Sequence, residues 1–370
     1  MDNIVIVIPS LNPDEKFNST VDGMINAGFK YVVMVDDGSG EEYKEPFQKA
    51  LREHPECRLV VHEVNKGKGR ALRDAFAYIA ENIPDADGVI TVDGDGQHTP
   101  EDTVRMADAL KNAPDSVIMG CRDFSLSHVP THNRLGNRIS SFIYRVVYGI
   151  KLTDTQTGLR AIPAKYLKAF AEEVEGDRYE YETNMLIYIK DHGIAYSEIP
   201  IQTVYIDDNS SSHFNVIKDS YRIYKPIILF VLGSCIATVV DLVVFTLLNL
   251  LTEKGVGFLI GISSFLSKLG LSETPSRLFI PTVIARIASS LVDYNFSRTK
   301  VFGSKDPAKK TIWKYYIICI VRMLLSWLIL SFFTNVLHTH GLIETLLKVI
   351  VDLVLFFLSY KWQRTWVFKK

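Results

Sequence analysis

A chain of 370 residues with 41 Lys and Arg against 42 Asp and Glu carries a net charge of −1, so no global positive field draws it to nucleic acid. Its length admits two domains, and four scattered cysteines (Cys57, Cys121, Cys235, Cys319) exclude a disulfide scaffold or a thiolate metal site. They read as free thiols in a reducing compartment. The averages conceal a division: residues up to about 225 read as a soluble α/β domain, and those beyond hold apolar runs of membrane-spanning length.

The first predicted element is a strand, Ile4 to Ile8, whose unbroken apolar, β-branched run suits burial on both faces. It is too short for a signal peptide and is stopped by Pro9, so this domain is expected to stay in the cytosol. A helix near Phe17 to Ala27, a strand Tyr31 to Val35 and a helix Glu42 to His54 follow. Next come a strand Arg58 to His62, a helix Arg70 to Asn82 and a strand Val89 to Val92. This rhythm predicts an α/β fold with a doubly wound, mostly parallel sheet. Such sheets bind ligands beyond the carboxyl ends of their strands, where Pro9, Asp36, Asp37 and Asp93 fall.

The richest loop is Asp93-Gly94-Asp95-Gly96-Gln97-His98. Two carboxylates two residues apart at a strand end suit Mg²⁺ or Mn²⁺ held with a substrate diphosphate; the plain alternative is an acidic turn. Asp36-Asp37-Gly38-Ser39 reads either as a nucleoside contact or as a turn. Lys66-Gly67-Lys68-Gly69 offers cations and amides near a helix start, which suits phosphate, although it has neither dinucleotide nor Walker spacing.

Taken in order, Pro9-Ser10-Leu11-Asn12, Asp36-Asp37-Gly38-Ser39, Asn65-Lys66-Gly67-Lys68-Gly69, Asp93-Gly94-Asp95-Gly96-Gln97 and Asp154-Thr155-Gln156-Thr157-Gly158-Leu159-Arg160 resemble the family 2 glycosyltransferases. More narrowly they are similar to polyprenyl-phosphate sugar synthases of the dolichyl-phosphate mannose synthase type, over residues 1 to 225. The resemblance implies a GT-A nucleotide-diphospho-sugar transferase fold. It implies that Asp93, Asp95 and Gln97 hold Mg²⁺ or Mn²⁺, and that Pro9, Asn12, Asp36, Asp37, Lys66, Lys68 and Asp93 bind the donor. It implies Arg122 near the phosphates, Arg134 and Arg138 on the acceptor phosphate, and Asp154 and Arg160 at the reaction centre. Glu180 and Glu182 fall where a sugar or acceptor contact is expected, Glu182 equally as a solvated carboxylate. Asn137, Ser211, His213 and Arg222 are assigned to the acceptor or the membrane surface.

Donor and acceptor both bring phosphate, so such a site needs a metal and several guanidiniums. A stretch from Ile139 to Leu152 places Phe142, Ile143, Val146, Val147 and Ile150 on one stripe flanked by Arg138, Arg145 and Lys151. It reads as an interfacial helix or, equally, as a core-facing one. A juxtamembrane helix is expected over 213–226, after a soluble domain over 1–212.

The membrane half, 227–370, is expected to form four spans at about 227–251, 279–297, 315–337 and 342–360. The segment 257–270 is read as re-entrant or interfacial. Lys300, Lys305, Lys309, Lys310, Lys361 and Arg364 then fall on one side, which the positive-inside rule makes cytosolic together with both termini. Phe296-Ser297-Arg298-Thr299-Lys300-Val301-Phe302 recurs as Trp362-Gln363-Arg364-Thr365-Trp366-Val367-Phe368, marking a duplicated two-helix unit. This half is similar to four-span GtrA-like proteins. Asp241, Arg286, Asp293, Arg322 and Asp352 are costly in a bilayer unless they pair or meet a polar head group.

The resemblance implies inverting transfer of a hexose from a UDP- or GDP-sugar, uridine favoured, to polyprenyl phosphate at the cytosolic face of the cell membrane. The partners implied are the nucleotide sugar, the lipid phosphate and the membrane, with a homo-oligomer through the membrane half allowed and nucleic acid excluded. The alternatives are a lipid-sugar transporter with a regulatory nucleotide-sugar-binding domain, or a processive polysaccharide synthase. The synthase calls for a Gln-x-x-Arg-Trp motif, which Gln363-Arg364-Thr365-Trp366 does not match.

Overall fold

The structure is a computed structural model that describes residues 3–127, 129–204, 216–253, 273–337 and 342–369. The chain divides into two compact units, Met1–Ile223 and Tyr224–Lys370.

The first unit is built on seven strands: β1 (Ile4–Ser10), β2 (Tyr31–Asp36), β3 (Cys57–Val61), β4 (Gly88–Thr91), β5 (Ser116–Arg122), β6 (Arg160–Pro163) and β7 (Ala195–Ile201). Their order in the sheet is β3-β2-β1-β4-β6-β5-β7. Only β6 runs against its neighbours, so the expected mostly parallel sheet is present. Helices α1 (Glu15–Asn26), α2 (Glu45–Glu53), α3 (Lys68–Asn82) and α4 (Pro100–Asn112) connect the parallel strands. Ile4, Val5, Ile6, Val7 and Ile8 are all fully buried, which is why an unbroken apolar run occupies the centre of the sheet.

β1 lies between β2 and β4, so the chain leaves it first in one direction and later resumes on its other side. That switch point opens a crevice at the carboxyl ends of β1 and β4. β5 and β7 end on the same edge, and β6, being antiparallel, begins there. The tip after β4 is held rigidly: Thr99 caps α4 by accepting from the Asp102 amide at 3.2 Å, and Pro100 occupies the first turn.

Helix α5 spans Thr131–Ile143 and passes into a π-helical turn, Tyr144–Tyr148. The stripe expected over 139–152 is corrected here. Val147 and Ile150 are buried, whereas Leu135, Ile139 and Phe142 are 58%, 50% and 64% exposed. A π turn advances the side chains by a different angle, so a 3.6-residue period cannot be carried through it. Helices α6 (Leu167–Glu173) and α7 (Glu180–Asp191) complete this unit together with the start of α8 (Val216–Glu253).

The second unit contains the rest of α8 and helices α9 (Glu273–Phe296), α10 (Ala308–Leu337) and α11 (Leu342–Trp362). Among the described residues two helical segments, Lys218–Leu251 and Ala308–Phe333, are long and apolar enough to cross a membrane. Many large apolar residues face outward, among them Leu242, Met323, Trp327 and Phe332, each at least 60% exposed. The proposed re-entrant segment at 257–270 lies outside the described residues.

Both copies of the repeated motif adopt the same conformation, a π-helical turn at Ser297–Val301 and again at Gln363–Val367. Phe302 and Phe368, which close the copies, stack with ring centroids 5.1 Å apart. Among the described residues, Asp241, Arg286, Asp293 and Asp352 find partners. Asp241 lies 3.6 Å from Arg286, Asp293 accepts from Tyr315 at 2.5 Å, and Asp352 pairs with Lys348 at 2.7 Å.

Candidate active site

A cavity of about 700 Å³ lies at the β1/β4 switch point, lined by the loop after β1, Asp37, Lys68, Asp93 and Asp95. Arg178, Tyr179 and the first turns of α8, with Lys218, Asp219 and Arg222, complete its wall.

The loop after β1 is braced against the loop after β2. Asn12 takes φ +50, donates its N–H to Ser39 Oγ at 2.9 Å and accepts from the Gly40 amide at 3.0 Å. Asp36 turns inward and accepts from the Ser39 amide at 2.8 Å, so it shapes the turn rather than the cavity. Asp37 accepts from the Lys66 and Gly67 amides at 2.9 and 2.7 Å, joining β2 to the head of α3. Gly67 is required for this: its φ is +103, and a Cβ there would meet Asp177 O at 2.4 Å. The Lys66 side chain is exposed and does not line the cavity.

Lys68 reaches the acidic tip, with Nζ 2.7 Å from Asp93 Oδ1 and 3.5 Å from Glu182 Oε1. Burial opposes its charge, but Asp93 and then Glu182 hold the ammonium well above the usual lysine range. Burial would raise the Asp93 carboxyl; Lys68 first and then His98, at 3.5 Å, outweigh it and hold Asp93 far below the usual range. Asp95 shifts the opposite way, raised by burial and by the charge of Asp93. Gln97 follows on, its amide donating to Asp95 Oδ1 at 3.0 Å. Two oxygen-donor carboxylates that crowd one another beside a cavity make a donor set suited to a hard divalent cation. Burial pushes the Tyr179 hydroxyl up to about 12, so it remains a donor at neutral pH.

A second cluster gathers where β5 ends. Arg122 donates from Nε and Nη2 to Asp154 at 2.7 and 3.2 Å. Asp154 is fully buried, and its Oδ1 also accepts from the Gln156 amide at 3.0 Å. An enclosed carboxylate committed to a guanidinium aims that guanidinium, so Asp154 orients Arg122 at the end of β5. Asn137 donates to Thr153 O at 2.8 Å and holds α5 to the same loop. Arg134 donates to Leu126 O at 3.1 Å. Arg138 is exposed and has no polar partner among the described residues.

Arg160 and Glu180 are also engaged within the protein. Arg160 is 2% exposed and spends its guanidinium on the Thr157 and Glu182 carbonyls at 3.0 and 2.8 Å, so it braces β6 against α7. Glu180 folds back on its own loop, accepting from the Asp177 and Arg178 amides at 3.3 Å. Ser211 and His213 lie outside the described residues.

Sequence reasoning missed His62, which is buried between Asp37 and Asp74 at 2.7 and 3.0 Å. It stands just past the carboxyl end of β3, a position that the rule applied to Pro9 and Asp93 would have flagged. It also missed Glu198, whose Oε1 accepts from the Thr153 and Asp154 amides at 2.6 and 3.2 Å and shapes the Asp154 loop. No local motif marks that residue.

The model of the family described as Glycosyl transferase family 2 matches residues 5–170, and that of the GtrA/DPMS transmembrane domain matches residues 229–368. An uncharacterized protein of Methanocaldococcus jannaschii is 31% identical, over 60% of this chain and 90% of its own length. UDP-N-acetylglucosamine–dolichyl-phosphate N-acetylglucosaminyltransferase of Methanococcus voltae is 28% identical, over 62% of this chain and 97% of its own. Undecaprenyl-phosphate mannosyltransferase of Micrococcus luteus is 25% identical, over 54% of this chain and 83% of its own.

Proposed function

The chain belongs to glycosyl transferase family 2, with a GtrA/DPMS transmembrane domain behind the catalytic one, and on that premise we propose that it transfers a hexose from a nucleotide sugar to a polyprenyl phosphate at the cytosolic membrane face. One observation carries this reading. Asp37, the Lys68 head of α3 and the Asp93/Asp95 pair converge on a single cavity at the sheet's switch point. The names of the relatives from Methanococcus voltae and Micrococcus luteus support a polyprenyl-type phosphate as acceptor.

In this reading Asp37 and the loop after β1 hold the base and ribose. Asp93 and Asp95, with Gln97, would hold Mg²⁺ or Mn²⁺, which supplies positive charge against the donor diphosphate. Lys68 keeps Asp93 ionised, and Lys68 and Arg222 add positive charge to the cavity wall. Arg122 is aimed by Asp154, and the exposed Arg138 on α5 serves the incoming lipid phosphate.

An oxygen of that phosphate attacks the anomeric carbon as the bond to the diphosphate oxygen breaks, and the nucleoside diphosphate leaves with the electron pair. The nucleophile is already anionic at neutral pH, so no protein base is needed; charge and positioning lower the barrier. In-line displacement inverts the anomeric configuration. Incubating the purified chain with polyprenyl phosphate and a panel of UDP- and GDP-hexoses tests the assignment. One donor class is expected to yield an organic-soluble, inverted sugar-phosphate lipid. No such lipid from any donor would refute it.

A further inference from the structure

The carboxylate of Asp37 has little freedom left, and its partners decide what else it accepts. Oδ1 lies 2.9 Å from the Lys66 amide and 2.7 Å from His62 Nδ1, while Oδ2 accepts from the Gly67 amide at 2.7 Å. His62 is anchored from behind, with Nε2 3.0 Å from Asp74 Oδ2, and Arg70 Nε donates to that same oxygen at 3.0 Å. The His62 and Asp37 side chains are 3% and 6% exposed, so water does not compete for these positions. A carboxylate oxygen has about two acceptor positions. Both are taken on Oδ1 and one on Oδ2, which leaves Asp37 one position for a ligand facing the cavity it lines.

We propose that His62 is a positioning residue which occupies Asp37 Oδ1 within the buried Asp74–His62–Asp37 chain, restricts Asp37 to a single N–H from the donor base, and thereby selects uracil over guanine. The inference rests on the reading of this cavity as the donor site and names its nucleotide. Guanine presents N1–H and an amino N–H side by side and matches both oxygens of a free carboxylate. Uracil presents one N3–H between two carbonyl oxygens and matches a carboxylate with one open position. Cytosine places an acceptor at N3, which a carboxylate repels. A guanine seated here leaves one N–H unpaired in a buried setting, a loss of about tenfold or more in affinity.

The test uses the full chain in detergent with Mg²⁺ and reads the Kd of UDP, GDP and CDP by calorimetry, for wild type, His62→Ala and His62→Gln. Lipid-linked sugar formation from UDP- and GDP-hexoses is measured in parallel. Wild type is expected to bind UDP at least about tenfold more tightly than GDP or CDP. His62→Ala, which frees Oδ1, is expected to weaken UDP and narrow the UDP-to-GDP ratio several-fold. His62→Gln restores a donor to Oδ1 and is expected to recover most of that ratio. A residue that only supports the fold would weaken both nucleotides alike.

Equal binding of UDP and GDP by wild type overturns the inference whether or not the variants fold, as does an unchanged ratio in a folded His62→Ala. Lipid product from GDP-hexose but not UDP-hexose overturns it while leaving the transfer reading intact. No product from either donor, with neither nucleotide bound, overturns both.

Discussion

Asp93 and Asp95 stand two residues apart in opposite electrostatic settings. Asp93 is held ionised by Lys68, whereas Asp95 is pressed toward its neutral form by burial and by Asp93 itself. A raised carboxyl pKa means that the folded state disfavours the charge, so stability falls as pH climbs from the unfolded pKa through the folded one. Asp95→Asn keeps the acceptor for the Gln97 amide and removes that penalty. Its melting temperature at pH 7, measured by calorimetry without added metal, is therefore expected to equal or exceed that of wild type. Gly158 illustrates a different constraint. Its backbone accepts from Thr91 Oγ1 at 2.6 Å, and a Cβ there would lie 2.3 Å from Asp93 Oδ2. Gly158→Ala is expected to push the Asp93 carboxylate aside and lower kcat/KM by about tenfold or more while the fold persists, a split that kinetics and circular dichroism would show together. Residue identity pointed to Asp154 and Arg160, and the structure encloses both among protein partners. Nothing in a one-dimensional motif says that an arginine will be enclosed by Thr157 and Glu182 carbonyls.

Among the elements, α5 carries the clearest outward message. Leu135, Ile139 and Phe142 project from one side of a helix that also bears the exposed Arg138, with exposed Arg145 in the π turn behind it. An apolar stripe with basic flanks suits the headgroup boundary of a bilayer. Replacing all three apolar residues by Ser is expected to cut transfer to a long-chain acceptor in vesicles by about tenfold. Transfer to a short, water-soluble prenyl phosphate should be nearly unchanged; an equal loss on both acceptors would place the stripe outside acceptor delivery. The strands of the first unit were legible because periodicity and turn residues are local. Ile4 to Ile8, Tyr31 to Val35 and Val89 to Val92 all lie in or against observed strands. The phase of α5 was not legible, because the π turn at Tyr144–Tyr148 breaks the period on which that reading relied. His62 was hidden for a related reason: its importance comes from Asp37 and Asp74, 25 and 12 residues away in sequence.

At the scale of the whole molecule, a catalytic unit precedes a membrane unit whose repeated motif adopts the same π-helical turn twice. The basic residues between α9 and α10 and after α11 predict that those segments face the cytosol with the catalytic unit. A Lys309→Cys chain in intact cells is expected to resist a membrane-impermeant maleimide until the cells are permeabilised, relative to the native cysteines as background. Labelling before permeabilisation would reverse the orientation.

The most direct measurement follows label from a radioactive UDP-hexose into organic-soluble lipid, with the full chain reconstituted alongside polyprenyl phosphate. Transfer is expected to stop on chelation, to return with Mg²⁺ or Mn²⁺, and to fall at least about 100-fold in Asp95→Asn. Transfer that survives both chelation and Asp95→Asn would contradict a donor diphosphate held through the acidic tip of β4.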